Sequence, residues 1–219
     1  MCSASRSDLT ARARIRDAAI ECFGQQGFGV SVRAIAEHAG VSAGLVIHHF
    51  GSKEKLREAC DDHVIQLIRE TKTETLTSHD SQTFLHQIAE VEEYAGILAY
   101  LVRALQTGGK LLQVLYERTL TDAEEYLAKG VEEGVIRPSR DPAKRARWLA
   151  GAGLGSILLL ITLQEREPGE DIDFRRIMRE WSEEMILPAL ETYTEGLLTE
   201  RTMLDAYLLH ISDPPERES

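Results

Sequence analysis

Few residues in this 219-residue chain stand where their types and spacing could do chemistry. Cys60-Asp61-Asp62-His63 holds four metal-ligating residue types in a row. Consecutive residues on a helix project in different directions and cannot converge on one ion, so the run reads as solvated helix surface. His48 and His49 fail as a metal pair for the same reason. The acidic pairs Glu92-Glu93, Glu124-Glu125, Glu132-Glu133 and Glu183-Glu184 read as solvated helix faces, not catalytic carboxylates. The sequence has no glycine-rich phosphate loop, nucleophile elbow or zinc-protease signature. No metal, no cofactor and no enzymatic activity are therefore expected. One stretch keeps its chemical interest. Ser42, Ala43 and Gly44 open a short helix with small side chains, and the free N–H groups and dipole at such a start favour a phosphate or other anion.

The elements around that stretch explain its spacing. Ile15, Ala18, Ala19, Cys22 and Phe23 recur at helical intervals, which predicts an amphipathic helix over about residues 8–26, stopped by Gly27. Ser31 caps a short helix carrying Val32, Ile35 and Ala36. Ala39-Gly40-Val41 makes a turn, and Ser42 caps a second short helix running to about His49. Two short helices meeting at a three-residue corner are a helix-turn-helix. Ala36 lies where they cross, Gly40 supplies the positive φ of the corner, and Val41, Val46 and Ile35 lock one helix on the other. Ser52 then caps a longer helix bearing Leu56, Ala59, Val64, Leu67 and Ile68. Further helices are predicted over roughly 82–93, 95–106, 109–133, 142–166, 173–197 and 200–210, with Pro188 expected to kink or split the fifth of these. The chain is read as all-α.

Charge is split along the chain. Residues 1–60 carry eight Lys and Arg against six Asp and Glu, a net of +2, while the remainder carries 17 against 30, a net of −13. The overall charge of −11 alone argues against nucleic acid; a basic head on an acidic body restores that possibility. The three cysteines, Cys2, Cys22 and Cys60, are odd in number and lack ligand spacing, which suggests reduced thiols in a cytoplasmic protein. Met1–Thr10 has no signal-peptide core. The most apolar run, Trp148–Leu163, falls short of a membrane span and contains Gly151, Gly153, Gly155 and Ser156. It is read as a buried helix at a packed interface, with no membrane partner.

From about Thr10 to Cys60 the sequence resembles the DNA-binding domain of the tetracycline-repressor (TetR) family. The resemblance rests on Phe23, Gly27 and Phe28 closing the first helix, on Ile35-Ala36, Gly40-Val41-Ser42 and Gly44, and on His49-Phe50 followed by Ser52-Lys53-Glu54. It implies that residues 42–49 form a recognition helix in the major groove of double-stranded DNA. The implied DNA-facing set is Ser31, Arg33, Ser42, Ala43, Gly44, Ile47, His48, His49 and Lys53, with Arg33, His48, His49 and Lys53 meeting phosphates or base edges. The family usually carries an aromatic residue where this chain has Ile47, and commonly another where it has His48. Ile47 suits contact with a thymine methyl instead, so no relative's operator sequence transfers.

The resemblance further implies a homodimeric repressor on a palindromic operator, released by a small-molecule effector. The division expected is a three-helix DNA-binding domain over 1–52 and a helical effector-binding and dimerisation domain over 53–219. Helices 142–166 and 173–197 would form a four-helix dimer bundle through Gly151, Gly155, Leu158, Leu159, Thr162, Trp181 and Met185. Tyr94, Tyr100, Arg103 and Tyr116 are candidates to line the effector pocket; ordinary core tyrosines and a snorkelling Arg103 are the plainer reading. Two other functions compete: a helical ligand-binding protein or enzyme that keeps the head as scaffold, and a regulator controlled by a partner protein. Salt-dependent, sequence-specific DNA binding separates the first from a regulator.

Overall fold

The computed structural model describes residues 6–77, 81–164 and 172–210, and among these every regular element is helical. The head comprises α1 (Arg6–Gln26), α2 (Val32–His38) and α3 (Ala43–Phe50). Each short helix starts on a serine in extended conformation. The Ser31 hydroxyl accepts from the Ala34 amide at 3.1 Å, and the Ser42 hydroxyl accepts from the Leu45 amide at 3.2 Å. Such caps satisfy donors that a two-turn helix would otherwise leave unpaired. Between the helices Gly40 takes φ +66°, and the Val41 amide reaches back to the Ala36 carbonyl at 2.9 Å. The corner is the tight one the sequence requires.

Helix α4 (Lys53–Thr77) joins head to body and belongs to both. Its first half sends Leu56, Cys60 and Val64 into the head core, beside Ile15, Ala19 and Phe23 of α1, Ile35 and Ala36 of α2, and Val46 and Phe50 of α3. Its next turn places Ile65 against Ala104 and Leu115 of the body. The sequence reading of residues 60–63 as solvated surface needs correction. Asp62 is exposed, but Cys60 and Asp61 are buried, because they share the stripe of Leu56 and Val64.

The body contains α5 (Ser81–Ala89), a 3-10 turn (Val91–Tyr94), α6 (Ala95–Thr107), α7 (Gly109–Glu132), α8 (Pro142–Leu163), α9 (Phe174–Thr194) and α10 (Thr202–His210). The helix expected over 82–93 is thus split at Glu90. Helix α9 instead runs unbroken through Pro188. Pro188 and Glu184, whose carbonyl the proline cannot satisfy, are both exposed, so water can complete what the helix loses.

Helix α6 is the hub. It lies along α1, where a Cβ on Gly24 would stand 2.8 Å from the Ala99 Cβ, so only glycine permits that approach. Leu98, Ala99 and Val102 also belong to a cluster with Ile161 of α8 and Phe174, Ile177 and Met178 of α9. A separate cluster of Ala123, Leu127 and Ala146 joins α7 to α8. Helices α8 and α9 meet at Trp181, which donates to the Ser156 hydroxyl at 2.8 Å.

Helix α8 is only thinly covered by its own chain. Only Ala146 and Ile161 are buried in the single chain, and Trp148, Leu159 and Leu163 are exposed. At 22 residues with a mean hydropathy of 1.6 in its most apolar window, it is long and apolar enough to cross a membrane, which the 16-residue run Trp148–Leu163 did not suggest.

Candidate nucleic-acid interface

The outer face of α3 is built by what its inner face must bury. Val46 and Phe50 turn inward at 1% and 6% exposure, and the Arg12 guanidinium of α1 sits 4.9 Å from the centre of the Phe50 ring. Helical periodicity then sends Gly44, Ile47 and His48 outward, and all three are exposed. Ile47 keeps 44% of its surface in water. The exposed part of this β-branched aliphatic side chain is left uncovered by the described residues.

The other expected contacts surround this face unequally. Arg33, in the first turn of α2, is exposed and has no ion pair among the described residues. Ser31 and Ser42 are exposed at the starts of α2 and α3; their oxygens accept the capping bonds, which leaves each hydroxyl proton available to donate to a phosphate. Ala43 and Lys53 are half-buried, the latter as the first residue of α4. His49 is also half-buried, its ring edge-on to His48 at 5.6 Å and to Phe50 at 6.4 Å between centroids, so it supports His48 from behind.

The four residues proposed for an effector pocket are not brought together. Tyr100 has no exposed surface; it lies in the head core, edge-on to Phe28 at 5.4 Å, and donates to Asp61. Arg103 donates to the carbonyls of Gly24 and Gln25 at 3.0 and 2.9 Å, tying α6 to the open end of α1. Tyr100 is thus a core tyrosine, and Arg103 is bonded within the chain. Tyr94 packs on the α6–α8–α9 cluster, and Tyr116 is half-buried on α7. A cleft of about 500 Å³ opens elsewhere, between α4 and α7, lined by Arg69, Glu70, Thr73, Glu74, Glu125, Tyr126 and Lys129. Arg69 is held there by Glu125 at 2.5 Å and Asp122 at 3.4 Å. Burial, then the nearby Asp122, raises the pKa of the Tyr126 phenol. Sequence reasoning missed Asp61 and Tyr126. The signal for Asp61 was its place four residues before Ile65 on an apolar stripe.

Comparison with known proteins decides what this head belongs to. Residues 15–60 match the family model described as bacterial regulatory proteins, tetR family, and residues 92–199 match the tetracyclin repressor-like C-terminal domain. The HTH-type transcriptional regulatory protein RaaS of Mycobacterium tuberculosis is 54% identical over 202 residues, covering 92% of this chain and 93% of that protein. The chain belongs to the TetR family.

A shorter match joins the HTH-type transcriptional repressor AcnR of Corynebacterium efficiens, 43% identical over 49 residues, 22% of this chain and 26% of that protein. The structure of SmeT, the repressor of the Stenotrophomonas maltophilia multidrug efflux pump SmeDEF, superposes with a TM-score of 0.52 at 24% identity, over 81% of this chain and 89% of that one, and shares the fold. As a TetR-family member the chain is a DNA-binding transcriptional regulator, all-α, with an N-terminal helix-turn-helix and a C-terminal helical domain. The C-terminal family match stops at residue 199, before α10.

Proposed function

We propose that the chain is a homodimeric repressor that reads a palindromic operator through α3 and releases it when a small molecule binds the helical body. The observation that carries the reading head is the outward face of Gly44, Ile47 and His48, uncovered by any described element of the chain and backed by a packed core. Around it Arg33, Lys53 and the hydroxyls of Ser31 and Ser42 would hold phosphates, Ala43 would admit the duplex closely, and His49 would set the orientation of His48. One such head touches few base pairs, so useful specificity needs two copies about one helical turn, ~34 Å, apart.

The second copy is supported by α8 and α9. Gly151, Gly155, Leu159 and Thr162 are exposed along α8, and a Cβ on Gly151 or Gly155 would meet nothing within 4 Å, so another helix can approach closely. Leu158, Trp181 and Met185 are half-buried at the edges of the same surface. A second protomer suits this face better than lipid, because α8 also packs through Ala146 on α7 and through Ile161 on α6 and α9 of its own chain.

For the effector, the cleft between α4 and α7 supports a site better than the tyrosines of α6 do. Helix α4 lines the cleft at Arg69–Glu74 and enters the head core at Leu56–Val64, so a ligand that shifts α4 would change the separation of the two α3 helices. Effector and DNA would then weaken each other equally, by about 1–3 kcal/mol in typical cases. We assign residues 1–52 to DNA reading and 53–219 to effector binding and dimerisation, with action on the bacterial chromosome in the cytoplasm. Selection of bound duplexes from a random pool tests the proposal. An inverted repeat should be enriched, with affinity falling steeply as salt rises; an unenriched pool would reject it.

A further inference from the structure

Helix α10 lacks the support that a helix of its length needs. It has nine residues, about 14 Å, and isolated helices shorter than about 12 residues are marginal in water. Yet none of its residues is buried, and the ion pair of Asp205 with Arg201, just before the helix, is local. Its side chains are nevertheless apolar: Met203, Leu204 and Tyr207 are 70%, 48% and 60% exposed, and Leu197 and Leu198 just before it are 85% and 58% exposed. At the end of α9, Leu187, Leu190 and Tyr193 are exposed as well.

Charge and position indicate what covers it. Residues 187–210 carry Glu191, Glu195, Glu200 and Asp205 against Arg201 alone, a net of −3, which disfavours DNA or an anionic membrane. The start of α8 has the opposite sign. Arg137, Arg140, Lys144, Arg145 and Arg147 surround Asp141 alone, a net of +4, beside Trp148 at 61% exposure. Along the chain this basic end precedes the Ser156–Trp181 contact between α8 and α9, and the arm follows it. The arm does not cover the basic end of its own chain, since Trp148 and every residue of α10 but Leu208 stay exposed.

We propose that residues 196–210 form an arm exchanged between protomers, its apolar side seated on the partner's α8 start around Trp148 and its acidic residues facing the basic cluster there. The arm rests on the homodimer reading and extends it beyond α8 and α9 to α10, which the C-terminal family match does not reach.

Sedimentation equilibrium of the full chain, of a chain ending at Glu195, of Trp148→Ala and of the truncation combined with Trp148→Ala tests the arm. The truncation should weaken dimerisation at least tenfold, Trp148→Ala should weaken it too, and the combined loss should fall well short of the product of the two, because they remove one contact. Because α10 has no buried residue, the truncated chain should lose no more helical signal than α10 supplies and should still unfold cooperatively; the double variant Leu204→Asp/Tyr207→Asp should reproduce its effect on dimerisation in a full-length chain. Dimerisation unchanged within twofold on truncation, or fully multiplicative losses, would overturn the arm alone. A full-length chain that sediments as a monomer would overturn the arm and the dimer reading together.

Discussion

The Tyr100 phenol on α6 donates a 2.5 Å hydrogen bond to the buried Asp61 carboxylate on α4. This pair joins the hub of the body to the helix that enters the reading head, and the ring of Tyr100 packs among Phe23 and Phe28. Burial pushes the Asp61 carboxyl above the ordinary aspartate value, although the Tyr100 bond and the Arg57 charge pull the other way. Burial, then the neighbouring Asp61, raises the Tyr100 pKa as well, so the phenol stays protonated and donates. Any movement of α6 against α4 must break or carry this bond.

The sign of the Asp61 shift fixes a pH dependence. A raised folded-state pKa means the folded chain takes up this proton at a higher pH than the unfolded chain. The Asp61 contribution to stability therefore improves as pH falls through its folded value, and the gain is complete below the unfolded value of about 3.9. Urea unfolding of wild type and Asp61→Asn from pH 7 down to pH 4 should show wild type gaining relative to the variant. Parallel curves would deny that the carboxyl is raised. Tyr100→Phe at pH 7, which strips the carboxylate of its donor, should cost about 1–3 kcal/mol.

Arg103 should behave as a clamp, not as a ligand contact. Its guanidinium holds the Gly24 and Gln25 carbonyls, so Arg103→Ala should destabilise the chain by about 1–3 kcal/mol in urea unfolding. A variant that unfolds at the wild-type urea concentration would show that the two bonds contribute nothing.

At the helix crossing, Ala36 is 2% exposed, and a larger side chain has no space. Ala36→Leu should cost about 1–3 kcal/mol and abolish specific DNA binding while the dimer persists. Calorimetry and sedimentation on the same sample read both effects. Wild-type DNA affinity in this variant would place the tight crossing elsewhere.

Leu159 is 57% exposed on α8, so a charge there is harmless to the single chain and ruinous to an apolar interface. Leu159→Asp should sediment as a folded monomer with its far-ultraviolet signal unchanged. A dimer of wild-type strength would move the interface off this face of α8.

What the sequence disclosed depended on the range of the interactions involved. Gly27, Gly40, Ser31 and Ser42 act on their own turns, so the head's helices and corner are legible from residue type and spacing alone. Resemblance then added roles to the outward residues of α3. The body's helices were legible for the same local reason, with two exceptions: the helix expected over 82–93 breaks at Glu90, and α9 runs through Pro188, whose effect turns on whether water reaches a neighbouring carbonyl. The partners of Tyr100 and Arg103 lie 39 and 79 residues away, so no local pattern distinguishes them from pocket residues. The exposure of α8 was hidden because composition gives only that a helix is apolar, not which protomer covers it.

Gly44 gives the most direct test of the reading face. A Cβ added there would find nothing nearer than the Ser42 hydroxyl at 3.9 Å, so a side chain is accommodated by the protein and obstructs only what approaches from outside. Equilibrium affinity for the selected operator should be compared between wild type and Gly44→Leu, with melting temperature as the control. The account predicts an unchanged fold and affinity lowered at least a hundredfold, about 2.7 kcal/mol. A well-folded Gly44→Leu chain that binds the operator as tightly as wild type would contradict it.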